Sequence, residues 1–145
     1  MNVQYHVVSS FEDLQKSFFV RGVVFIEEQK CLYADEFDGN EYSSTNFIAT
    51  IVDEPIATAR VRFSNGYAKV ERLAVRKAYR GKKIGKGLFD YILKYVDELG
   101  YRKIVIHAQA YLLVFYESIG FVKIGDMFVE AGIEHYYMEK NINIG

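Results

Sequence analysis

The run from Val70 to Leu88 constrains the chain most: an apolar strand passes through a basic, glycine-punctuated turn into an amphipathic helix. Ile84, Leu88, Tyr91, Ile92, Tyr95, Val96 and Leu99 recur at helical spacing, and Gly100 stands just past the last of them as a helix stop. A strand that feeds a helix N-terminus in this way collects backbone N–H groups and the positive end of the helix dipole in one place, which suits a phosphate. Seven of the eighteen Lys and Arg residues (Arg72, Arg76, Lys77, Arg80, Lys82, Lys83 and Lys86) fall within fifteen positions. An even spread would put roughly two there, so an anionic ligand is expected.

The rest of the chain arranges itself around that unit. Val3 to Val8 alternates as a strand, and Ser10 with Asp13 three positions on reads as a helix N-cap ahead of a stripe through Leu14, Phe18, Val20 or Arg21, and Phe25. From Glu27 to Thr45 the period fails and acids gather, which predicts a loop or short helix with an acidic rim that could attract a cationic amine. Phe47 to Val52, Ile56 to Phe63 and Tyr67 to Val75 read as three antiparallel strands, separated by Asp53-Glu54-Pro55 and by the hairpin signal Asn65-Gly66. Beyond the long helix come a short strand at Ile104 to Ile106, a short helix from Tyr111 to Ile119 closed by Gly120, and two more strands between Phe121 and Lys140. With no repeat, no linker and one proline, the 145 residues are expected to form a single domain, 1–145.

A formal net charge of −1 argues against general nucleic-acid affinity and makes the local basic cluster more telling. The single Cys31 excludes an internal disulfide and a cysteine-based zinc set, and none of the three histidines pairs at ligand spacing, so no metal site is expected. No apolar run is long enough to span a membrane and the N-terminus lacks the pattern of a secretory leader, so a cytoplasmic protein without membrane partners is the expectation.

The turn does not match the nucleotide P-loop or the dinucleotide fingerprint. Leu73-Ala74-Val75 followed by Arg80-Gly81-Lys82-Lys83-Ile84-Gly85 instead resembles the acetyl-CoA-binding motif of the GNAT N-acetyltransferase superfamily, [RQ]-x-x-G-x-[GA], with Lys83 standing in its first glycine position. Downstream, Ala108-Gln109 and Phe115-Tyr116-Glu117-Ser118-Ile119-Gly120-Phe121 are similar to that family's fourth-helix segment, and Arg21 to Gln29 and Ala131 to His135 are similar to a small bacterial subgroup of undefined substrate. The resemblance implies an α/β fold with a mixed, mostly antiparallel sheet of about seven strands flanked by about four helices.

It also implies an activity: direct attack of a primary amine on the acetyl-CoA thioester within a ternary complex, without metal. Tyr116 would then be the acid for the leaving sulfur. Leu73, Ala74 and Val75 would orient the donor, Arg80, Gly81, Lys82, Lys83, Ile84, Gly85 and Lys86 would hold its pyrophosphate, and Gln109 would bond the pantetheine arm across a V-shaped gap between strands. Glu71 is the first candidate for the base, read as sharing a strand face with Leu73 and Val75. His107 is the second base candidate, and Phe25, Glu28, Gln29 and His107 are expected to meet a small-molecule or peptide amine. Homodimers are common among similar proteins. Two rival readings share the scaffold, a non-catalytic acyl-CoA-binding module and an acylhomoserine-lactone-synthase-like enzyme; an RNA-binding basic patch is a third, unsupported by any aromatic stacking motif.

Overall fold

The computed structural model describes residues 2–142. Eight strands form one sheet in the order β1-β2-β3-β4-β5-β8-β6, with β7 paired to β8 off that path. The strands are β1 (Gln4–Val7), β2 (Thr45–Ile51), β3 (Glu54–Ser64), β4 (Tyr67–Val75), β5 (Lys103–Gln109), β6 (Val122–Lys123), β7 (Phe128–Glu130) and β8 (Ile133–Asn141). Four α-helices join them: α1 (Phe11–Arg21), α2 (Tyr33–Glu36), α3 (Ile84–Glu98) and α4 (Leu113–Ser118). The mixed, mostly antiparallel architecture is the expected one, with one strand more than expected. Phe121 to Lys140 holds three strands because Ala131 and Gly132, at φ 52° and 76°, turn β7 tightly into β8.

Ser10 caps α1 as its spacing suggests, its Oγ accepting from the Asp13 N–H at 3.2 Å. The β2–β3 turn lies earlier than the sequence suggests: Val52 and Asp53 both adopt positive φ, 47° and 66°, so Glu54 and Pro55 belong to β3. This is the geometry of a two-residue primed turn, whose twist matches that of the strands it joins.

The main core lies between the sheet and α3. Ile84, Leu88, Phe89, Ile92 and Val96 form the buried stripe of that helix and meet Phe47, Ala59, Val61 and Ile106 from the strands. Each fully buried aliphatic side chain contributes about 1.5–3 kcal/mol, so this stripe fixes α3, and with it the basic turn, against the sheet. Gly87 packs closely against Tyr5: a Cβ there would lie 2.1 Å from the Tyr5 hydroxyl, so the ring would have to move. The opposite sheet face is covered by α1 and its π-helical continuation Gly22–Glu28, where Val20, Val24, Phe25 and Ala74 cluster.

The Glu27–Thr45 segment is pinned to that second face by charge. Arg60, 0% exposed on β3, is bonded by Asp38 at 2.6 and 3.0 Å, Glu41 at 3.1 Å and Glu71 at 3.2 Å. Buried Arg21 pairs with Glu36 at 2.7 Å and Glu41 at 3.2 Å, and its guanidinium lies 4.5 Å from the Phe37 ring centroid. Arg72 adds contacts to Glu36 and Asp38. The acidic rim expected to attract an amine is therefore largely engaged in holding its own loop.

Candidate active site

Strands β4 and β5 run parallel and pair only from Ala68–Ile104 to Val70–Ile106. Beyond that point they part, leaving the V-shaped gap between two strand edges that the sequence suggests. A β-bulge in β4 sits at the parting: Arg60 faces Glu71 and Thr58 faces Ala74, so Arg72 and Leu73 together oppose Ala59, and Arg72 takes φ 57°. An extra residue of this kind bends the strand and reverses which face its side chains meet.

That reversal corrects one expectation. Leu73 and Val75 pack with the α3 core, together with Ala68 and Val70, whereas Glu71 lies on the α1 face with its partner Arg60. Even spacing does not put Glu71, Leu73 and Val75 on one face, because the bulge intervenes between them. Glu71 bonds Lys69 at 3.1 Å and Arg60 at 3.2 Å, with Arg62 at 3.6 Å. Burial pushes its carboxyl up, but Lys69, Arg60 and Arg62 outweigh that and hold it below the usual range.

The end of β4 and a 3-10 turn at Lys77–Tyr79 connect the bulge to the basic turn. Gly81 and Lys83 both have left-handed backbone, φ 77° and 63°; at Lys83 a side chain occupies a conformation that glycine adopts more easily. No side chain caps α3 at Lys83, and its first helical bond runs from the Gly87 N–H to the Lys83 carbonyl at 3.0 Å. The N–H groups of Ile84, Gly85 and Lys86 thus lack intrahelical partners. At Gly85 a Cβ would sit 3.5 Å from Val75 Cγ2, so a side chain would fill the space between the turn and the strand. These features fit a pyrophosphate.

The clustered cations do not all stay at the turn. Arg72 belongs to the loop clamp, and Arg76 pairs with Glu54 at 2.7 Å and the Pro55 carbonyl at 3.0 Å. Arg80 stays at the turn, its Nε donating to the Val75 carbonyl at 2.8 Å and its two terminal nitrogens meeting Glu28 at 2.5 and 2.7 Å. The Arg80 hydrogen bonds hold the Glu28 carboxyl below the usual range. Lys86 pairs with Asp90 one turn along at 2.8 Å.

A cavity of about 1070 Å³ joins these parts. It is lined by Glu71, Leu73, Ala74, Val75, Arg80, Gly81, Lys83, Ile84, Gly85, Lys86, Gln109 and Tyr116, and also by Phe25, Gln29 and His107. Lys82 and Glu28 are not among the lining residues; Glu28 reaches the site through Arg80. Gln29 and Gln109 bridge the open end of the V through reciprocal amide bonds of 2.9 and 3.3 Å. Tyr116, 6% exposed on α4, is walled by Phe89, Phe115 and Phe121. Burial, followed by Tyr111, raises its hydroxyl well above the ordinary tyrosine range, so it remains a proton donor.

Several further lining residues went unassigned from sequence, Glu130, His135 and Tyr111 among them. His135 is buried beside Phe128, its Nδ1 2.7 Å from the Ile133 carbonyl, and Tyr111 lies on the short turn before α4. The even spacing of Ile133, His135 and Tyr137 is the signal that could have placed His135 opposite Gln109. Among the described residues no group of three or more His, Cys, Asp or Glu side chains is arranged to hold a metal, and no helix is long and apolar enough to cross a membrane.

Comparison with known proteins agrees with this geometry. The family model for the acetyltransferase (GNAT) domain matches residues 12–142. An acetyltransferase-family relative from Bacillus subtilis (strain 168) is 34% identical over 145 residues, covering 97% of this chain and 96% of the relative. The crystal structure of Escherichia coli ElaA superposes with a TM-score of 0.85 at 27% identity, covering 96% and 99% of the two chains. An aminoglycoside 6'-N-acetyltransferase complexed with coenzyme A shares the fold at a TM-score of 0.79 and 14% identity, covering 100% and 99%. Motif, parted strands and sequence relatives converge, and the chain belongs to the GNAT acetyltransferase family.

Proposed function

We propose that the chain works as one domain to transfer an acetyl group from acetyl-CoA to a primary amine, by direct attack while both substrates are bound. One observation carries the reading: the gap where β4 parts from β5 at the Arg72 bulge, the uncapped N-terminus of α3 with Arg80, Lys83 and Lys86 around it, and Tyr116 all line one cavity. Supporting it is the coenzyme A in the related aminoglycoside acetyltransferase, which has the same fold.

In this reading the N–H groups of Ile84, Gly85 and Lys86 bind the pyrophosphate, with Arg80 turning from Glu28 toward it. The pantetheine arm lies along Leu73, Ala74 and Val75 and meets Gln109 across the gap. Glu71, fixed as an anion by Arg60, Lys69 and Arg62, stands at the fork of the V. Tyr116 gives its proton to the departing sulfur. The test is thiol release from acetyl-CoA across a panel of amines. Tyr116→Phe should lower kcat by about 10²-fold with little change in acetyl-CoA affinity, and wild-type turnover in that variant removes Tyr116 from the acid role.

A further inference from the structure

We infer that His107, held by Glu130, is the base that takes the acceptor's ammonium proton, with Glu130 as its positioning residue. The inference rests on the acetyl-transfer reading and adds the proton acceptor to it. Val70 and Ile106 form the last pair between β4 and β5, so Glu71 and His107 are the first residues beyond it on their strands. Both lie on the sheet face turned away from the α3 core, at the fork of the V, and both line the cavity.

Their surroundings give them opposite roles. Glu71 is tied by Arg60, Lys69 and Arg62, which stabilise its anion and oppose uptake of a proton. His107 Nδ1 lies 3.1 Å from Glu130 Oε2 and 3.4 Å from Oε1. A carboxylate only accepts, so Nδ1 carries the hydrogen, and in the neutral ring the lone pair is then on Nε2. Phe128 stands edge-on to the ring at 5.2 Å and Tyr137 lies at 5.9 Å, which fixes its plane. Charged and titratable groups lining the same cavity include Arg62, Lys69, Glu71 and Arg72 of β3 and β4, Asp35, Glu36 and Asp38 of the acidic segment and His135 of β8, and Tyr137 is the cross-strand partner of His107; among the described residues only Glu130 bonds the imidazole.

The step balances as follows. Nε2 takes one proton from the ammonium, giving an imidazolium paired with Glu130 and a free amine. The amine lone pair forms the C–N bond, the C–S bond breaks, and the sulfur takes the Tyr116 proton. The second amine proton, lost as the amide forms, restores Tyr116, and the imidazolium returns its proton to solvent.

Two readouts test the assignment in the full-length protein. Imidazole nitrogen NMR, assigned with His107→Gln, should show the Nδ1–H form in the wild type and a shift toward Nε2–H in Glu130→Gln; an unchanged tautomer in that variant overturns the positioning role. With benzylamine, spermidine and glycinamide as acceptors, His107→Gln should lower kcat by roughly 10²-fold or more, while acetyl-CoA affinity by calorimetry stays within about twofold. Thiol release by His107→Gln at the wild-type rate overturns the base assignment alone. Wild-type protein that neither binds acetyl-CoA nor releases thiol overturns the transfer reading and this inference with it.

Discussion

Replacing Arg60 with Met tests whether the acidic segment is a structural clamp. Arg60 is fully buried, and its guanidinium is the shared partner of Asp38, Glu41 and Glu71. Methionine keeps most of the apolar stem but leaves three carboxylates facing one another with too little positive charge. Removing one side of a buried ion pair costs about 3–5 kcal/mol, a large part of the roughly 5–15 kcal/mol that holds a domain folded. At about 2.1 cal/mol/K per residue, a chain of 145 residues unfolds with an entropy near 0.3 kcal/mol/K, so Tm should fall by about 10–16 °C. Thermal melting followed by circular dichroism reads this directly, with Arg102→Met as the control. Arg102 pairs with Asp97 at 3.0 Å, but both side chains are nearly half exposed, so that loss should stay within about 1 kcal/mol, or roughly 3 °C. A fall in Tm no larger for Arg60→Met than for Arg102→Met would refute the clamp.

The remaining expectations concern pH and the donor site. Partial desolvation pushes the Asp38 carboxyl up, but the bonds from Arg60 and Asn40 outweigh it and hold it well below the usual carboxylate range, and Glu71 is also lowered. Carboxyls with depressed folded values add stability that is present above their unfolded values near 4 and lost as pH falls through the folded ones. Glu36, raised by burial against the pull of Arg72 and Arg21, has the opposite sign and offsets part of that loss. Urea midpoints should therefore drop below about pH 4, and a midpoint that rises between pH 5 and 3 contradicts the assignment. Glu28→Gln should tighten acetyl-CoA binding by about 1.4- to 5-fold, since it frees Arg80 from an exposed pair of roughly 0.2–1 kcal/mol. That gain should shrink in 0.5 M salt, and weaker binding by the variant would mean that Glu28 helps to hold the donor.

The elements legible in the sequence are those whose signals are local. Ser10 as cap, the α3 stripe with Gly100, and the β4 run of Tyr67 to Val75 all recur in the structure, since spacing and turn chemistry decide them. The Arg72 bulge was not legible, because an inserted residue is defined by the partner strand and not by its own sequence. It overturns the shared face of Glu71, Leu73 and Val75. The fate of the acids was hidden for a similar reason. Glu36, Asp38 and Glu41 read as a solvated rim until Arg21 and Arg60, distant in sequence and apparently ordinary strand and helix cations, are seen buried beneath them. The basic turn was legible as the lead into a helix N-terminus, but its charge count overstated the cations free at that turn, since Arg72 and Arg76 are held by other partners.

Binding of the acetyl-CoA phosphates by the turn from Arg80 to Lys86 is the step on which the proposed transfer depends. Titration calorimetry of acetyl-CoA into the wild type and into the Arg80→Ala, Lys86→Ala double variant tests it most directly. Neither side chain is buried: their pairs with Glu28 and Asp90 are at the surface, so the variant should stay folded. Affinity should fall by more than about tenfold, each lost charge-assisted contact removing roughly 1–2 kcal/mol. A folded double variant that binds acetyl-CoA as tightly as the wild type would contradict it.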